Sequence, residues 1–90
     1  MSASLLARNI SIDTLIFTGQ GEYWGMRHRN ATAALSVVYD GVDATGTMID
    51  AFRAPTNSDA GRQFEHPVKV ATGLFVDMTG SPSDTIWYKR

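Results

Sequence analysis

The sequence predicts an all-β protein, a small antiparallel β-sandwich or barrel of about seven short strands with an extended N-terminal arm. Two observations favour this fold class. Apolar and polar residues alternate with a period of two rather than 3.6 along most of the chain. Turn signals rich in Gly, Asn, Asp and Pro recur roughly every 8–12 residues. Because 90 residues make one small domain, we expect an arm over residues 1–12 and a single β domain over residues 13–90.

The first extended run, residues 9–17, places Ile10, Ile12 and Ile16 on one face of a strand. Paired glycines end this run at residues 19–21, since glycine adopts backbone conformations that a strand does not use. A helix is possible only over residues 2–8, where "SASLLAR" could form one or two turns.

The next two runs have the clearest strand patterns. In residues 22–29 we expect Trp24 and Met26 to face inward, and we interpret Arg27, His28 and Arg29 as outward side chains. Residues 34–40, "ALSVVYD", are rich in the β-branched and aromatic residues that suit a pleated surface.

The second half of the chain alternates strands and loops. Residues 48–54 resume the alternation, and residues 55–63 have the strongest loop signal because they combine Pro, Gly and small polar residues. Pro67 lacks an N–H group, so the run at residues 64–71 should lie at a sheet edge or bend there. Two further runs, residues 73–78 and 85–90, complete the predicted strands.

The composition favours self-association. A chain of this length buries only roughly 60% of its unfolded surface, so its core is thin. Yet 43% of the residues are hydrophobic, among them two Trp, three Tyr, four Phe and four Met. The chain has no cysteine, so disulfides cannot compensate for a thin core. We therefore expect part of the apolar surplus to lie at an interface, where aromatic residues and Met are enriched.

Charge and hydropathy argue against two classes of partner. The net charge of −1 lacks the basic footprint of a nucleic-acid-binding protein. No apolar run approaches the roughly 18 residues of a membrane span. The N-terminus has neither a basic region nor a long apolar region, so we expect no secretory signal and synthesis in a reducing cytoplasm.

No sequence pattern indicates an active site, a metal site or a cofactor site. The serines lie in turns without the strand–Ser–helix context of a nucleophile elbow, so we expect no catalytic residue and no enzyme. Asp40, Asp43 and Asp50 resemble a calcium-binding run, but Val42 and Ala44 interrupt it and no Glu closes it. We interpret Asp40 as an Asx-turn residue that bonds nearby backbone N–H groups. With two histidines and no cysteine, a structural zinc site is also not expected.

Two segments together resemble a known class of protein. Residues 34–52 contain a strand ending in V-Y-D, a loop with T-G-T and an aliphatic strand. Residues 66–90 contain G-L-F-V-D, a T-G turn and a closing strand. This combination resembles short all-β virion structural proteins of tailed bacteriophages, over roughly residues 20–90. The resemblance implies a virion component and carries over no catalytic residue.

The leading hypothesis is a capsid decoration (cement) protein on the capsid surface, made in the host cytoplasm. It would bridge and stabilise subunits of the major capsid protein and form a cyclic homo-oligomer, such as a trimer. Multivalent attachment lets each contact be weak, and an extended N-terminal strand can add to the edge of a neighbouring sheet. The expected interface residues are Leu5, Leu6, Ile10, Ile12, Val42, Trp87 and Tyr88.

Two alternatives stay open. A neck, tail or fibre-associated subunit of the same kind of virion would differ in copy number from a cement protein. A host-surface glycan-binding module would use exposed aromatic rings, with Trp24 and Trp87 as the candidates.

Overall fold

The computed structural model describes residues 5–30, 34–54, 58–80 and 82–90. The described part contains no helix and eight strands, where the sequence predicts about seven. The strands are β1 (Leu6–Ile10), β2 (Thr14–Thr18), β3 (Gly21–Asn30), β4 (Ala34–Asp40), β5 (Thr47–Ala54), β6 (Ser58–Val70), β7 (Gly73–Thr79) and β8 (Pro82–Lys89).

The strands form two antiparallel sheets of four strands each. Sheet A has the order β1-β8-β3-β6, and sheet B has the order β2-β7-β4-β5. The two sheets pack face to face, so the all-β class and a small sandwich are confirmed. The last strand, β8, lies inside sheet A between β1 and β3.

The N-terminal run that looked like one strand is two strands in different sheets, which explains the higher strand count. β1 pairs with β8, with Leu6 opposite Tyr88, whereas β2 pairs with β7. In the link between them, Asp13 Oδ1 accepts a hydrogen bond from the N–H of Met78 at 2.7 Å, which directs the chain into sheet B. The helical alternative is wrong for residues 6–8, which lie in β1, while residues 2–4 lie outside the described residues.

Most of the predicted loop at residues 55–63 is also strand. β6 begins at Ser58 and pairs along β3, from Asn30 opposite Ser58 to Gly21 opposite Val70. The ten-residue strand β3 offers a hydrogen-bonding edge that overrides the local loop preference of these residues. Residues 55–57 lie outside the described residues. Pro67 lies in an edge strand, as its missing N–H predicts, and beside a shift in register between β3 and β6.

The same register shift sets which residues of β3 face the core. It lies between Tyr23 and Gly25. Against β8, Trp24 is the extra residue of a bulge. Against β6, residues 64–67 of that strand are the extra ones. Gly25 has a φ of 119°, a conformation that other residues rarely adopt. Tyr23 and Met26 are consequently both fully buried, and Met26 faces inward as expected. Trp24 does not join the core, and its Nε1 donates to Glu22 Oε1 at 3.0 Å.

The core lies between the sheets and draws residues from all eight strands. Its buried apolar members are Ile10, Ile16, Phe17, Tyr23, Met26, Val38, Phe52, Val70, Leu74, Val76 and Ile86.

Asp40, at the end of β4, connects this strand to the turn between β6 and β7. Its carboxylate accepts hydrogen bonds from the N–H groups of Ala71 (3.1 and 3.2 Å) and Thr72 (3.0 Å). Partial burial acts to raise the pKa of Asp40, but backbone hydrogen bonds from Thr72, Ala71 and Gly73 outweigh burial and lower the pKa. The predicted bond type is therefore present, but its donors lie on a distant segment rather than in a local Asx-turn.

Asp43 forms the local turn in the loop between β4 and β5. It accepts hydrogen bonds from the N–H of Thr45 at 2.9 Å and from Thr45 Oγ1 at 2.5 Å. These bonds, with the side-chain bond as the largest cause, lower the pKa of the Asp43 carboxyl. Hydrogen bonds within the loop itself thus order this turn.

Gly73→Ala should destabilise the protein by about 1–3 kcal/mol, because overpacking forces the backbone to move. A Cβ atom at position 73 would lie 2.8 Å from the carbonyl oxygen of Phe17 and 2.9 Å from that of Gly41. Urea denaturation measures the change in the free energy of unfolding. Thr72→Ala, at an exposed neighbouring position, is the control and should stay within about 0.5 kcal/mol of wild type. Equal midpoints for Gly73→Ala and wild type would contradict the steric argument.

Asp40→Asn should show a pH-dependent loss of stability. A lowered pKa in the folded state means that the ionised carboxylate contributes stability above its unfolded pKa, and that this contribution is lost as pH falls through the folded pKa. Replacing charge-assisted by neutral hydrogen bonds should cost about 1 kcal/mol at pH 7. Urea denaturation at neutral and acidic pH should show that the difference in the free energy of unfolding between variant and wild type becomes smaller as the pH falls. A difference that is constant with pH would contradict the assignment.

Candidate functional site

A buried polar cluster connects the two sheets. It consists of His28 on β3, Asp84 on β8 and Ser36 on β4, whose exposed fractions are 0%, 1% and 0%. His28 and Asp84 lie directly opposite each other in sheet A, and Ser36 reaches them from sheet B. The interpretation of His28 as an outward residue is wrong. Neighbouring side chains in a strand point to opposite faces, so Arg27 and Arg29 are exposed while His28 faces the core.

One nitrogen of His28 makes all the hydrogen bonds of its ring. His28 Nδ1 lies 2.9 Å from Asp84 Oδ1 and 3.1 Å from Ser36 Oγ. Ser36 Oγ donates to Asp84 Oδ2 at 2.5 Å. Because the serine proton points at Asp84, we assign the imidazole proton to Nδ1, which donates to Asp84. The Nε2 atom is buried without a hydrogen-bond partner.

The electrostatics of Asp84 follow from its burial. Burial raises the pKa of the Asp84 carboxyl, although hydrogen bonds from Ser36, His28 and the backbone of Arg29, and the attraction of His28, act to lower it. A carboxylate removed from water is costly unless its oxygens are bonded. The cluster supplies these bonds from both sheets, so each of its members depends on the others.

The cluster has the residue types of an acyl-transfer triad but not its geometry. In such a triad the serine bonds one ring nitrogen and the acid orients the other. Here Ser36 and Asp84 both lie at Nδ1, and the serine proton goes to the acid. All three side chains are shielded from solvent, so no substrate can reach them. The arrangement fits a structural role, the joining of β3, β4 and β8.

Sequence reasoning missed this cluster, although a signal is present. Each polar member lies two positions from a fully buried apolar residue on the same strand, and therefore on the same face. The pairs are His28 with Met26, Ser36 with Val38, and Asp84 with Ile86.

The structure divides the expected interface residues into two groups. Leu5, Leu6, Ile12 and Val42 are exposed, with Ile12 the most open at 73%. Ile10, by contrast, is 6% exposed and belongs to the chain's own core, because its position in β1 turns it toward sheet B.

Two expected interface residues lie on the interior strand β8. Trp87 is half-buried and lies opposite Ala7 and Gly25. Tyr88 packs against the core, with its ring centroid 5.9 Å from that of Phe17. Tyr88 therefore packs within its own chain.

Exposed apolar side chains occur at two edges of the sandwich. We call the first set the β1–β2 edge, because it lies on two edge strands and around their link; it comprises Leu5, Leu6, Ile12 and Leu15. We call the second set the β5 edge; it comprises Val42, in the loop before the edge strand β5, and Met48 at the start of that strand. Leu15 and Met48 were not expected from the sequence.

Two further findings concern metals and membranes. Among the residues that the structure describes, no group of three or more His, Cys, Asp or Glu side chains is placed to hold a metal ion. The same residues include no helix with the length and apolarity to cross a membrane.

Removing one member of the polar cluster should be far more damaging than removing all three. Asp84→Ala or His28→Ala should cost about 3–5 kcal/mol, because a buried polar partner is left unpaired. The triple variant His28→Leu, Ser36→Ala, Asp84→Val should have a free energy of unfolding that is within about 1 kcal/mol of the wild-type value or higher than it. Urea denaturation at pH 7 measures both. A triple variant that is as unstable as the single variants would show that the cluster itself supplies most of the stability.

Comparison with known proteins adds no relative to these observations. A scan against protein-family models finds no match to the chain, and a search of curated proteins finds no significant match.

Proposed function

We propose that this protein is a structural subunit of a bacteriophage virion, and more closely a capsid decoration protein that bridges and stabilises major capsid subunits. The observation that carries the proposal is the presence of exposed apolar side chains on both the β1–β2 edge and the β5 edge. The resemblance of residues 20–90 to short virion proteins supports it.

Two separated contact surfaces suit a bridging role. A protein that clamps two capsid subunits must touch both, and a single apolar patch would support only one contact. Ile12 and Met48, exposed at 73% and 61%, are the most open large apolar residues on their respective edges. Each contact can be modest, because many copies on one shell act together.

Self-association involves the free side of β1. Among the described residues this strand pairs with β8 alone, so its other side leaves backbone N–H and C=O groups available for a further strand. Leu5 and Leu6, exposed at 38% and 43%, lie at its beginning. A neighbouring copy that adds a strand here would cover both side chains and extend sheet A, as in β-strand addition generally.

The proposal predicts a high copy number in purified virions of the phage that encodes the chain. Gel densitometry should give this protein a stoichiometry approaching that of the major capsid protein. A count of about a dozen copies would instead assign it to the neck or tail, and its absence from virions would contradict a virion role.

Attachment should depend on both apolar edges. In mixing experiments with decoration-free heads, Ile12→Ser and Val42→Ser should each weaken binding by about 3- to 10-fold, because each removes apolar area from a contact. Ala44→Ser, at an exposed position in the loop that contains Val42, is the matched control and should bind like wild type. Failure of the wild-type protein to bind heads, together with a stable monomer in solution, would contradict the decoration role.

A further inference from the structure

A basic groove lies at one end of sheet A, where β3 begins and β6 and β8 end. Its volume is about 790 Å³, and its charged lining consists of Lys69, Lys89 and Arg90 against the single carboxylate of Glu22. Lys69 and Lys89 are the only lysines in the sequence. A protein with a net charge of −1 therefore has a local positive surface at this end of the sheet.

Among the described residues, Glu22 is the one acidic side chain that lines the groove. Glu22 lies opposite Lys69 on one side and Lys89 on the other, so the three side chains share a face. One oxygen of Glu22, however, accepts the hydrogen bond from Trp24 Nε1. Within the described ranges, Lys69, Lys89 and Arg90 form no ion pair with any carboxylate. Their charges remain available to a ligand.

Two of the cations are held in place by aromatic rings. Lys89 Nζ lies 5.0 Å from the ring centroid of Trp24, and the guanidinium carbon of Arg90 lies 5.9 Å from that of Phe17. The Phe17 ring in turn packs on the backbone of Gly21, where an added Cβ atom would lie 2.3 Å from the ring. Cation–π contacts of this kind restrict long side chains before a ligand arrives, which lowers the entropy cost of binding.

We infer that this groove binds a short acidic segment of a partner protein, whose Asp or Glu carboxylates pair with Lys69, Lys89 and Arg90. Charge complementarity selects an anionic ligand. No aromatic side chain among the described residues lines the groove, and the Trp24 ring beside it is occupied by Lys89, so these residues offer a sugar ring or a nucleobase no surface on which to stack. A carboxylate-bearing peptide needs only ion pairing. This inference does not depend on the virion role proposed above.

The test is an NMR titration of the ¹⁵N-labelled protein with hexaglutamate at low ionic strength. Saturable shifts should be confined to the amides that line the groove, around Gly21, Val70 and Lys89. Raising the salt concentration from about 0.05 M to about 0.5 M should weaken binding by an order of magnitude or more, because screening shortens the reach of the charges.

Lys69→Gln and Lys89→Gln should each weaken hexaglutamate binding by about 3- to 5-fold, as expected for loss of one exposed ion pair. Arg8→Gln is the matched control, since it removes one positive charge at an exposed position outside the groove. It should change the affinity less than 2-fold, and the spectra of all three variants report whether the fold is kept.

Three outcomes would overturn the inference. The first is the absence of shifts with hexaglutamate. The second is an equal loss of affinity in Arg8→Gln and in the lysine variants, which would indicate attraction without a site. The third is a sulfated oligosaccharide that shifts the groove amides while hexaglutamate does not, which would assign the groove to an anionic glycan.

Discussion

The hydrogen bonds among His28, Ser36 and Asp84, together with the bond from Tyr23 Oη to Asp50 Oδ2, fix how the two sheets lie on each other. Apolar packing between sheets is not directional, so a thin core of aliphatic side chains tolerates small slides of one sheet over the other. The serine of sheet B, in contrast, must meet an imidazole and a carboxylate of sheet A at hydrogen-bonding distance. Any slide would leave a buried carboxylate unbonded. The cluster thus specifies one arrangement, while its net contribution to stability is small because of the cost of desolvation.

Different regions of the sandwich surface present different kinds of side chain, an arrangement that suits a protein with several partners. Apolar side chains are concentrated on the β1–β2 edge and the β5 edge, while the uncompensated cations lie at one end of sheet A. Apolar contacts supply affinity, whereas charged contacts mainly select and orient a partner. The buried polar cluster contributes to neither surface, because it is enclosed between the sheets.

Local patterns in the sequence predict the fold class and several strands well. Residues 34–40, "ALSVVYD", coincide with β4, since their composition and period agree with a strand in an interior position. The sequence pattern gives the wrong secondary structure where tertiary contacts determine it. The bond from Met78 to Asp13 divides the first apolar run between the two sheets, and β3 recruits polar residues of a loop-like segment into β6.

The candidate sites were harder to predict, for two physical reasons. A bulge at Trp24 changes the phase of the alternation in β3, so inward and outward residues cannot be counted through it. The polar cluster joins residues from three strands, and the facing of Ser36 and Asp84 depends on how the sheets stack. The exposure of residues such as Leu6 and Val42 was predictable, because a thin core cannot hold all the apolar side chains of the chain. The burial of Ile10 shows that composition does not tell which individual apolar residues lie outside the core.

The interior position of β8 determines when the molecule can assemble. Sheet A places β8 between β1 and β3, although these two strands leave the ribosome long before it. Until β8 emerges, β1 has no strand to pair with, and neither does one side of β3. Sheet B also waits for β7, which separates β2 from β4. Almost every strand pair thus forms late and over long sequence separations, a topology that folds slowly. The edge of β1 that pairs with β8 therefore stays unpaired until the last strand has been synthesised.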